Sequence, residues 1–506
     1  MQDFSYQNQR AMPHTVRHMS IEADSEALSR LTSVTSLHLL NKLHSLRFGT
    51  RFSVEIPWFS QLSNILFLSL KGCSLEKLPE DICVLNHLRH LDISDSSIQI
   101  LPNKLESLCS LQVLDASCSS LQTIHKGVTK LVNLRLLSLP LEASMKLSKI
   151  SGLGNLSSLR NLSYFRVGTV AGRRIGELKS MNHLSGTLHI MSLVNVQSRG
   201  EASEARLFDK QYLKVLILQW RGHISLELKT DENSVLEGLH PPSGIECLIV
   251  RGFGGHLSPS WINPESLPTL KSLELFQCCS LEYLSTEVCT TYAGGMPAGS
   301  TGDVRVQHAT SSSSNGIARL PLIRLTTLRL VRCGNLTNID QFLSPGYLPS
   351  LKSIEPVHCE SLASLPAHNF EGFICLQDLK IHHCWKLACT TEMVLPHSIQ
   401  RLSVYNCGRL DKSFPGCLKN VTSLTLLNLE CRPNMESVLL NSTNTNKLKY
   451  LVFRDCSRLS SIGSLHALSS IYYVDISDCP KLTEIQQPFL NGSKPEDEEL
   501  LKFILS

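Results

Sequence analysis

Ile65–Leu70 (ILFLSL), Leu88–Ile93 (LRHLDI), Leu111–Ala116 (LQVLDA) and Leu134–Leu139 (LRLLSL) are four versions of one phrase, LxxLxL with one small or irregular substitution. Their second apolar positions are Leu68, Leu91, Leu114 and Leu137, each 23 residues after the last. In an extended segment alternate side chains take opposite faces, so Leu68 and Leu70, and likewise Leu91 and Ile93, point inward, while Phe67, Ser69 and Lys71 point outward. A single phrase cannot bury its own leucines. Stacking successive strands ~4.8 Å apart makes their apolar side continuous, so burial becomes a coupling between neighbours.

Between phrases the chain reads Leu-Pro and then a spaced apolar pair, as in Leu78, Pro79, Ile82, Leu85 and Leu101, Pro102, Leu105, Leu108. Proline stops strand pairing, and the spacing after it suits a short helical turn. A period of 23 lies within the ~20–29 residues of leucine-rich repeats. The expected fold is therefore an α/β leucine-rich-repeat solenoid, a horseshoe with a concave parallel β-sheet and an irregular or helical convex side.

The C-terminal half repeats with a different accent. LKSLELFQC (270–278), LTTLRLVRC (325–333), LKSIEPVHC (351–359), LQDLKIHHC (376–384), IQRLSVYNC (399–407), LKYLVFRDC (448–456) and IYYVDISDC (471–479) share the form LxxLxLxxC. A degenerate copy around Leu424–Cys431 fills the wide gap between Cys407 and Cys456, and Cys73 takes the same slot early on. Stacked thiols at Cys333, Cys384, Cys407, Cys456 and Cys479 suggest either disulfides and soft-metal binding or a small buried side chain where the strand turns. The second is favoured, since thiol is a compact hydrophobe and the sequence has no CxxC pair.

Residues 1–30 read as an N-terminal linker, followed by a first strand at Val34–Leu39. Residues 31–150 are the 23-residue repeats and 151–284 an irregular block, with a helix expected over Glu201–Lys210 and a strand over Leu213–Trp220. Residues 285–316, rich in Ser and Gly without apolar period, read as a disordered loop, 317–485 as the cysteine-type repeats and 486–506 as a C-terminal cap or tail.

Composition agrees with an aliphatic core, at 42% hydrophobic and 6% aromatic residues among 506. The 48 basic and 44 acidic residues leave a formal +4, too weak over this length to argue for a nucleic-acid or membrane surface. No window approaches the ~18–20 apolar residues of a membrane span, and Met1–Arg10 lacks the basic and apolar regions of a secretory signal. The expectation is a cytoplasmic protein, compatible with a nuclear pool, whose 18 cysteines stay reduced. There is no GxSxG, no HExxH and no complete GxGxxG, and the 19 histidines lack ligand spacing, so neither enzyme nor metal chemistry is expected.

Binding is expected instead, on the outward residues of the strands. The C-terminal column runs through Ser272, Glu274, Phe276; Thr327, Arg329, Val331; Asp378, Lys380, His382; Arg401, Ser403, Tyr405; Tyr450, Val452, Arg454; and Tyr473, Asp475. Aromatics and arginines are enriched at interface hot spots, so Phe276, Arg329, Lys380, His382, Arg401, Tyr405, Arg454 and Tyr473 are the candidate protein-binding residues.

The middle block carries a resemblance. Gly154–Gly168 (GNLSSLRNLSYFRVG), Ile175–Leu184 (IGELKSMNHL), Gly186–Val196 (GTLHIMSLVNV), Glu201–Lys210 (EASEARLFDK) and Leu213–Trp220 (LKVLILQW) resemble the leucine-rich-repeat domain of plant nucleotide-binding immune receptors of the coiled-coil class. Val235–Pro241, Ile245–Val250 and Gly252–Ile262, with Phe253, Gly255, Pro259 and Trp261, continue it, and Thr15–Ile21 resembles the strand after those receptors' nucleotide-binding module. The resemblance implies a sensor for a pathogen effector or a guarded host protein, regulating a nucleotide-binding domain in cis or in trans. This chain has no GxxxxGK[ST] loop, so ADP or ATP is expected only on a nucleotide-binding domain absent from it, and no cofactor on the chain itself. The alternatives are a stand-alone repeat scaffold or decoy, and a ubiquitin-ligase adaptor, for which no F-box-like helical segment is seen. An extracellular repeat receptor fits less well, because the repeats lack the Gly-x-Ile-Pro step.

Overall fold

The computed structural model describes residues 16–21, 40–49, 59–220, 231–284, 320–337, 339–365, 367–388, 393–413, 416–463 and 471–482. The chain divides into two compact units, Met1–Phe253 and Gly254–Ser506.

In the first unit, β1 (His18–Ile21), β2 (Ser45–Phe48), β3 (Phe67–Ser69), β4 (His90–Asp92), β5 (Val113–Asp115) and β6 (Leu136–Ser138) form a parallel sheet in chain order. Its register places Leu46, Leu68, Leu91, Leu114 and Leu137 side by side, so from Leu68 onward the 23-residue period is the strand register itself. All five are buried, as are Leu70 and Ile93. Between strands the chain returns through 3-10 helices at Glu80–Val84, Leu105–Ser107 and Lys126–Lys130. They bury Ile82, Leu105 and Val128, the first after Pro79, whose ring presets the backbone for a helical start.

β1 lies inside the stretch 1–30 read as a linker, within Thr15–Ile21, which resembles a strand, and it pairs with β2 from His18↔Ser45 to Ile21↔Phe48. The phrase of β2, Leu43 to Phe48, ends in an aromatic instead of leucine, and Phe48 is buried there all the same. The strand expected at Val34–Leu39, the loop 285–316 and the tail 486–506 lie outside the described residues.

The unit continues with β7 (Tyr164–Arg166), β8 (Ser185–Met191), β9 (Tyr212–Gln219) and β10 (Cys247–Arg251), each parallel to the next. β6 does not pair with β7. The Asn161 side chain closes the β6 edge instead, its Oδ1 accepting from the Leu137 amide at 2.9 Å and its Nδ2 donating to the Leu137 carbonyl at 3.0 Å. An α-helix, Leu141–Leu147, fills the return path there. The helix expected over Glu201–Lys210 is split: an α-turn at Arg199–Ser203, capped by the Ser198 hydroxyl, and a 3-10 turn at Leu207–Asp209, separated by Arg206 in the left-handed region (φ 48°). Lys210 closes this region from the inside. It is fully buried, and its Nζ donates to the Leu178 carbonyl at 2.7 Å at the end of the 3-10 helix Ile175–Ser180.

In the second unit, β11 (Ser272–Phe276), β12 (Thr327–Val331), β13 (Ser353–Val357), β14 (Asp378–His382), β15 (Arg401–Tyr405) and β16 (Leu426–Glu430) stack in parallel. β17 (Ser437–Leu440) leaves this sheet and pairs with β19 (Ser461–Gly463), while β18 (Tyr450–Arg454) and β20 (Tyr473–Ser477) complete the main stack. The inward leucines of β11 to β16 are buried, whereas every residue of β20 is half-exposed. Each repeat is stabilised through its neighbours, so the last described strand has the thinnest cover.

Candidate functional site

Equal strand register turns the outward residues of the second unit into transverse rows. The first row is Ser272, Thr327, Ser353, Asp378, Arg401, Leu426, Tyr450, Tyr473; the last is Phe276, Val331, Val357, His382, Tyr405, Glu430, Arg454, Ser477. Phe276, Arg329, Arg401, Tyr405, Arg454 and Tyr473 are half-exposed on this face, as a contact surface requires.

The arginines are not bare charges. Arg329 Nε lies 2.8 Å from Glu355, with Glu274 on the opposite strand at 3.6 Å and the Phe276 ring under its guanidinium at 5.5 Å. Arg401 grips Asp378 with two bonds, at 2.5 and 2.6 Å. Arg454 sits between Glu430 at 3.7 Å and Asp475, reached by Nε at 2.9 Å. Such half-exposed pairs contribute only ~0–1 kcal/mol each, so their main effect is to hold the planar donors in fixed directions. These carboxylate partners were readable in principle: residues one period apart in outward positions become neighbours as soon as the register is known.

Two candidate residues need correction. Lys380 and His382 lie on the expected face but are buried, at 1% and 6% exposure. The middle row beside them, Ser403 and Asn428, consists of short side chains that are themselves buried between longer neighbours. His382 Nε2 lies 2.8 Å from Ser403 Oγ, which also accepts from Asn428 Nδ2 at 3.2 Å. Burial, then the nearby Lys380 charge, pushes the His382 pKa down to about 3, so the imidazole is neutral. Burial likewise lowers Lys380 to about 8. Both belong to the buried floor of the face and not to its exposed layer.

Beyond each strand the backbone makes one left-handed step. Gln277, Arg332, His358, His383, Asn406, Cys431, Asp455 and Asp478 all have φ between 51° and 57°. The conformation is costly for L-residues, but it aims each amide at the next strand: Arg332 N donates to Val357 O at 2.8 Å and His383 N to Tyr405 O at 2.9 Å. The step leaves imidazoles on the rim, where His358 and His383 stack at 4.2 Å and Tyr405 meets His383 edge-on at 4.5 Å. This aromatic cluster adjoins Tyr405 on the exposed rim, and strand alternation alone does not mark it, because the left-handed residue breaks the period of two.

The following residue turns inward and occupies the cysteine slot. Cys333, Cys359, Cys384, Cys407 and Cys456 are buried, Cys479 half-exposed. Each thiol reaches a main-chain carbonyl of the preceding repeat: Cys333 to Leu275, Cys384 to Pro356, Cys407 to Ile381, Cys456 to Leu429 and Cys479 to Phe453, at 3.4–3.8 Å. Contacts with the Cys278 and Cys359 thiols, followed by burial, hold Cys333 well above the ordinary thiol range, so it is a donor and not a thiolate ligand. Among the described residues no group of three or more His, Cys, Asp or Glu is arranged to hold a metal ion. In the early repeats Cys73, Ser96 and Ser119 take the slot, the serines donating to Ile93 O and Ala116 O at 2.7 Å.

The degenerate repeat departs from this rule. Cys431 is the left-handed residue and half-exposed, so the slot falls to Arg432. Arg432 is fully buried, with Nε 2.6 Å from Oδ1 of Asp411, itself buried on the 3-10 helix Gly408–Ser413. Asp411 Oδ2 also accepts from the Asn434 amide at 2.9 Å. Taking Cys431 as the ladder residue places the repeat one position out.

Comparison with known proteins adds the lineage. The R13L1/DRL21 LRRs family matches residues 175–289. The disease resistance RPP13-like protein 1 of Arabidopsis thaliana is 28% identical over 360 residues, covering 63% of this chain and 32% of that protein. Disease resistance protein RGA2 of Solanum bulbocastanum is 34% identical over 129 residues, 25% of this chain and 13% of that protein. The chain thus spans about a third or less of the relatives it matches. Among solved structures, the functional domain of InlJ from Listeria monocytogenes, which includes a cysteine ladder, aligns with 81% of this chain and 72% of its own at 12% identity and a TM-score of 0.46. No helix among the described residues is long and apolar enough to cross a membrane. The chain is a leucine-rich-repeat domain, related over part of its length to plant disease-resistance proteins of the RPP13-like and RGA kinds.

Proposed function

We propose that this chain is the sensor of a plant immune receptor, recognising a pathogen effector or a modified host protein and biasing a nucleotide-binding switch. The observation that carries the reading is the face of β11 to β20: oriented arginines at Arg329, Arg401 and Arg454 alternate with half-exposed rings at Phe276, Tyr405 and Tyr473. Fixed guanidiniums and rings lose little side-chain entropy on contact, which is what an interface hot spot requires. The relatedness to disease-resistance proteins supplies the biological setting. Switching then follows from linkage: a ligand shifts the receptor only as far as it binds the released state better than the restrained one.

The test is capture from infected and uninfected plant extracts on the wild-type chain and on Tyr405→Ala/Tyr473→Ala, read by quantitative mass spectrometry. A protein retained by the wild type and lost by at least tenfold on the variant, at equal unfolding midpoint, is expected. Equal retention on both would remove this face as the recognition surface. The switch requires a second measurement: titration of the chain with the nucleotide-binding module of a related receptor, with and without the captured protein. A stand-alone scaffold would bind the captured protein and leave the module's affinity unchanged.

A further inference from the structure

Between β6 and β7 the stack is interrupted, and different groups close the interruption at each level. At its near end the main chain still spans it, the Arg160 amide donating to the Arg135 carbonyl at 2.8 Å. At the next rung a side chain takes over. The Asn161 carboxamide grips the Leu137 amide and carbonyl, at 2.9 and 3.0 Å, as the peptide group of a neighbouring strand would. At the far end the Arg166 amide donates to the Ser148 carbonyl at 3.2 Å, just past the helix Leu141–Leu147. Tyr164 lies between these closures.

Tyr164 is to β7 what Leu137 is to β6. The His189 amide donates to the Ser163 carbonyl and the Val167 amide to the Met191 carbonyl, both at 2.9 Å, so residues 163 and 167 turn their peptide groups towards β8. Alternate residues of a strand turn theirs the opposite way, which directs the Tyr164 amide and carbonyl, like the Arg166 amide, to the β6 side. Among the described residues neither group of Tyr164 has a partner there. A cavity of about 240 Å³ opens at this point, with Leu137, Leu147 and Leu162 on its buried side and Ser138, Ser144 and Tyr164 half-exposed around it. Its lining contains no Asp, Glu, Lys, Arg or His.

We propose that this cavity receives a primary carboxamide, an Asn or Gln side chain projected from a partner protein, whose oxygen accepts from the Tyr164 amide and whose nitrogen donates to the Tyr164 carbonyl. The group that fits such an edge is already present one rung away, in Asn161. A carboxamide holds donor and acceptor in one plane, so it answers both groups at once. A carboxylate would set a second oxygen against the Tyr164 carbonyl and meet no cation in the lining. A running strand cannot pass, because Asn161 closes one end and the bond from Arg166 to Ser148 the other. The volume also lies below the ~300–1,000 Å³ of pockets for whole small molecules, which favours a single side chain. Leu147 and Leu162 are placed to cover its methylene stem. The site lies outside the β11 to β20 face and stands independently of the function proposed for that face.

The test uses the full chain and N-acetyl-glutamine methylamide, with the glutamate and norleucine compounds of the same backbone as counterparts, titrated by saturation-transfer NMR. The glutamine probe is expected to bind at least fivefold more tightly than either counterpart and to slow hydrogen exchange at Tyr164 at least threefold. The Tyr164 amide takes no part in the ladder with β8, so proline is tolerated there as on a sheet edge. Tyr164→Pro should therefore abolish the preference for glutamine. Tyr164→Ala, which loses the same ring but keeps the amide, should retain it at an equal unfolding midpoint. Should the proline variant fail to fold, Ser144→Leu fills the cavity and should abolish the preference as well. Equal binding of the three probes, unchanged exchange at Tyr164, or a preference that survives Tyr164→Pro or Ser144→Leu overturns the proposal. Propionamide binding more tightly than the glutamine probe would assign the site to a free small amide, and displacement of that probe by glucose would assign it to a hydroxyl ligand; either result also overturns it.

Discussion

Replacing Arg432 by Met tests a buried ion pair in the cysteine ladder. Arg432 and Asp411 are both sealed from solvent with 2.6 Å between Nε and Oδ1. Arg432→Met keeps the aliphatic stem and strands the Asp411 carboxylate, for which breaking a buried pair predicts a loss of about 3–5 kcal/mol. Removing both charges, in Arg432→Met/Asp411→Leu, should recover most of that loss and end within ~1 kcal/mol of the wild type or above it, because neither ion then has to be desolvated. The pH dependence carries the same logic. Burial raises the Asp411 carboxyl above its usual range, outweighing the lowering by Arg432. A carboxyl raised on folding contributes stability that is full below its unfolded pKa, ~3.9, and lost as pH rises through the folded value. Wild type should therefore gain on Asp411→Asn as pH falls from 7 towards 4. Urea unfolding followed by circular dichroism measures the three variants, and hydrogen exchange over residues 403–435 localises the effect. An Arg432→Met protein within 1 kcal/mol of wild type, or a double variant no better than the single, would refute the pairing.

Two further outcomes follow from the cores of the repeats. Leu91→Ala should cost ~2–5 kcal/mol in urea unfolding, since Leu91 is fully buried between Leu68 and Leu114 and the stacked strands cannot collapse onto the gap; an unchanged midpoint would mean that the inward register is wrong. Burial lowers Lys210 to about 8, so its charge opposes folding below that pH and the penalty disappears as pH rises past the unfolded value of ~10.4. Wild type should gain up to ~3 kcal/mol on Lys210→Met between pH 7 and 10, and parallel curves would show that the ammonium is not desolvated.

The sequence by itself determined the solenoid, because one repeat cannot bury its leucines and a fixed period of 23 leaves parallel stacking as the way to cover them. It determined which residues face outward on β11 to β20 for the same reason: alternation is local and depends only on strand geometry. It also located the small inward slot held by Cys333, Cys384 and Cys407. What the tertiary structure decided depends on neighbours that are distant in sequence. Arg329, Arg401 and Arg454 read as free cations until the register sets carboxylates beside them. Lys380 and His382 read as exposed until the flanking rows cover them. The slot in the degenerate repeat belongs to Arg432 and not to Cys431, because Leu424, Leu427 and Leu429 set the ninth position of the phrase at 432, and Cys431 takes the left-handed step that precedes the slot in every repeat of the second unit. At the β6 edge the deciding fact was again a neighbour: the Asn161 carboxamide stands where a paired strand would supply a peptide group. Local periodicity fixes which way a side chain points, while its charge balance and exposure are properties of the stack.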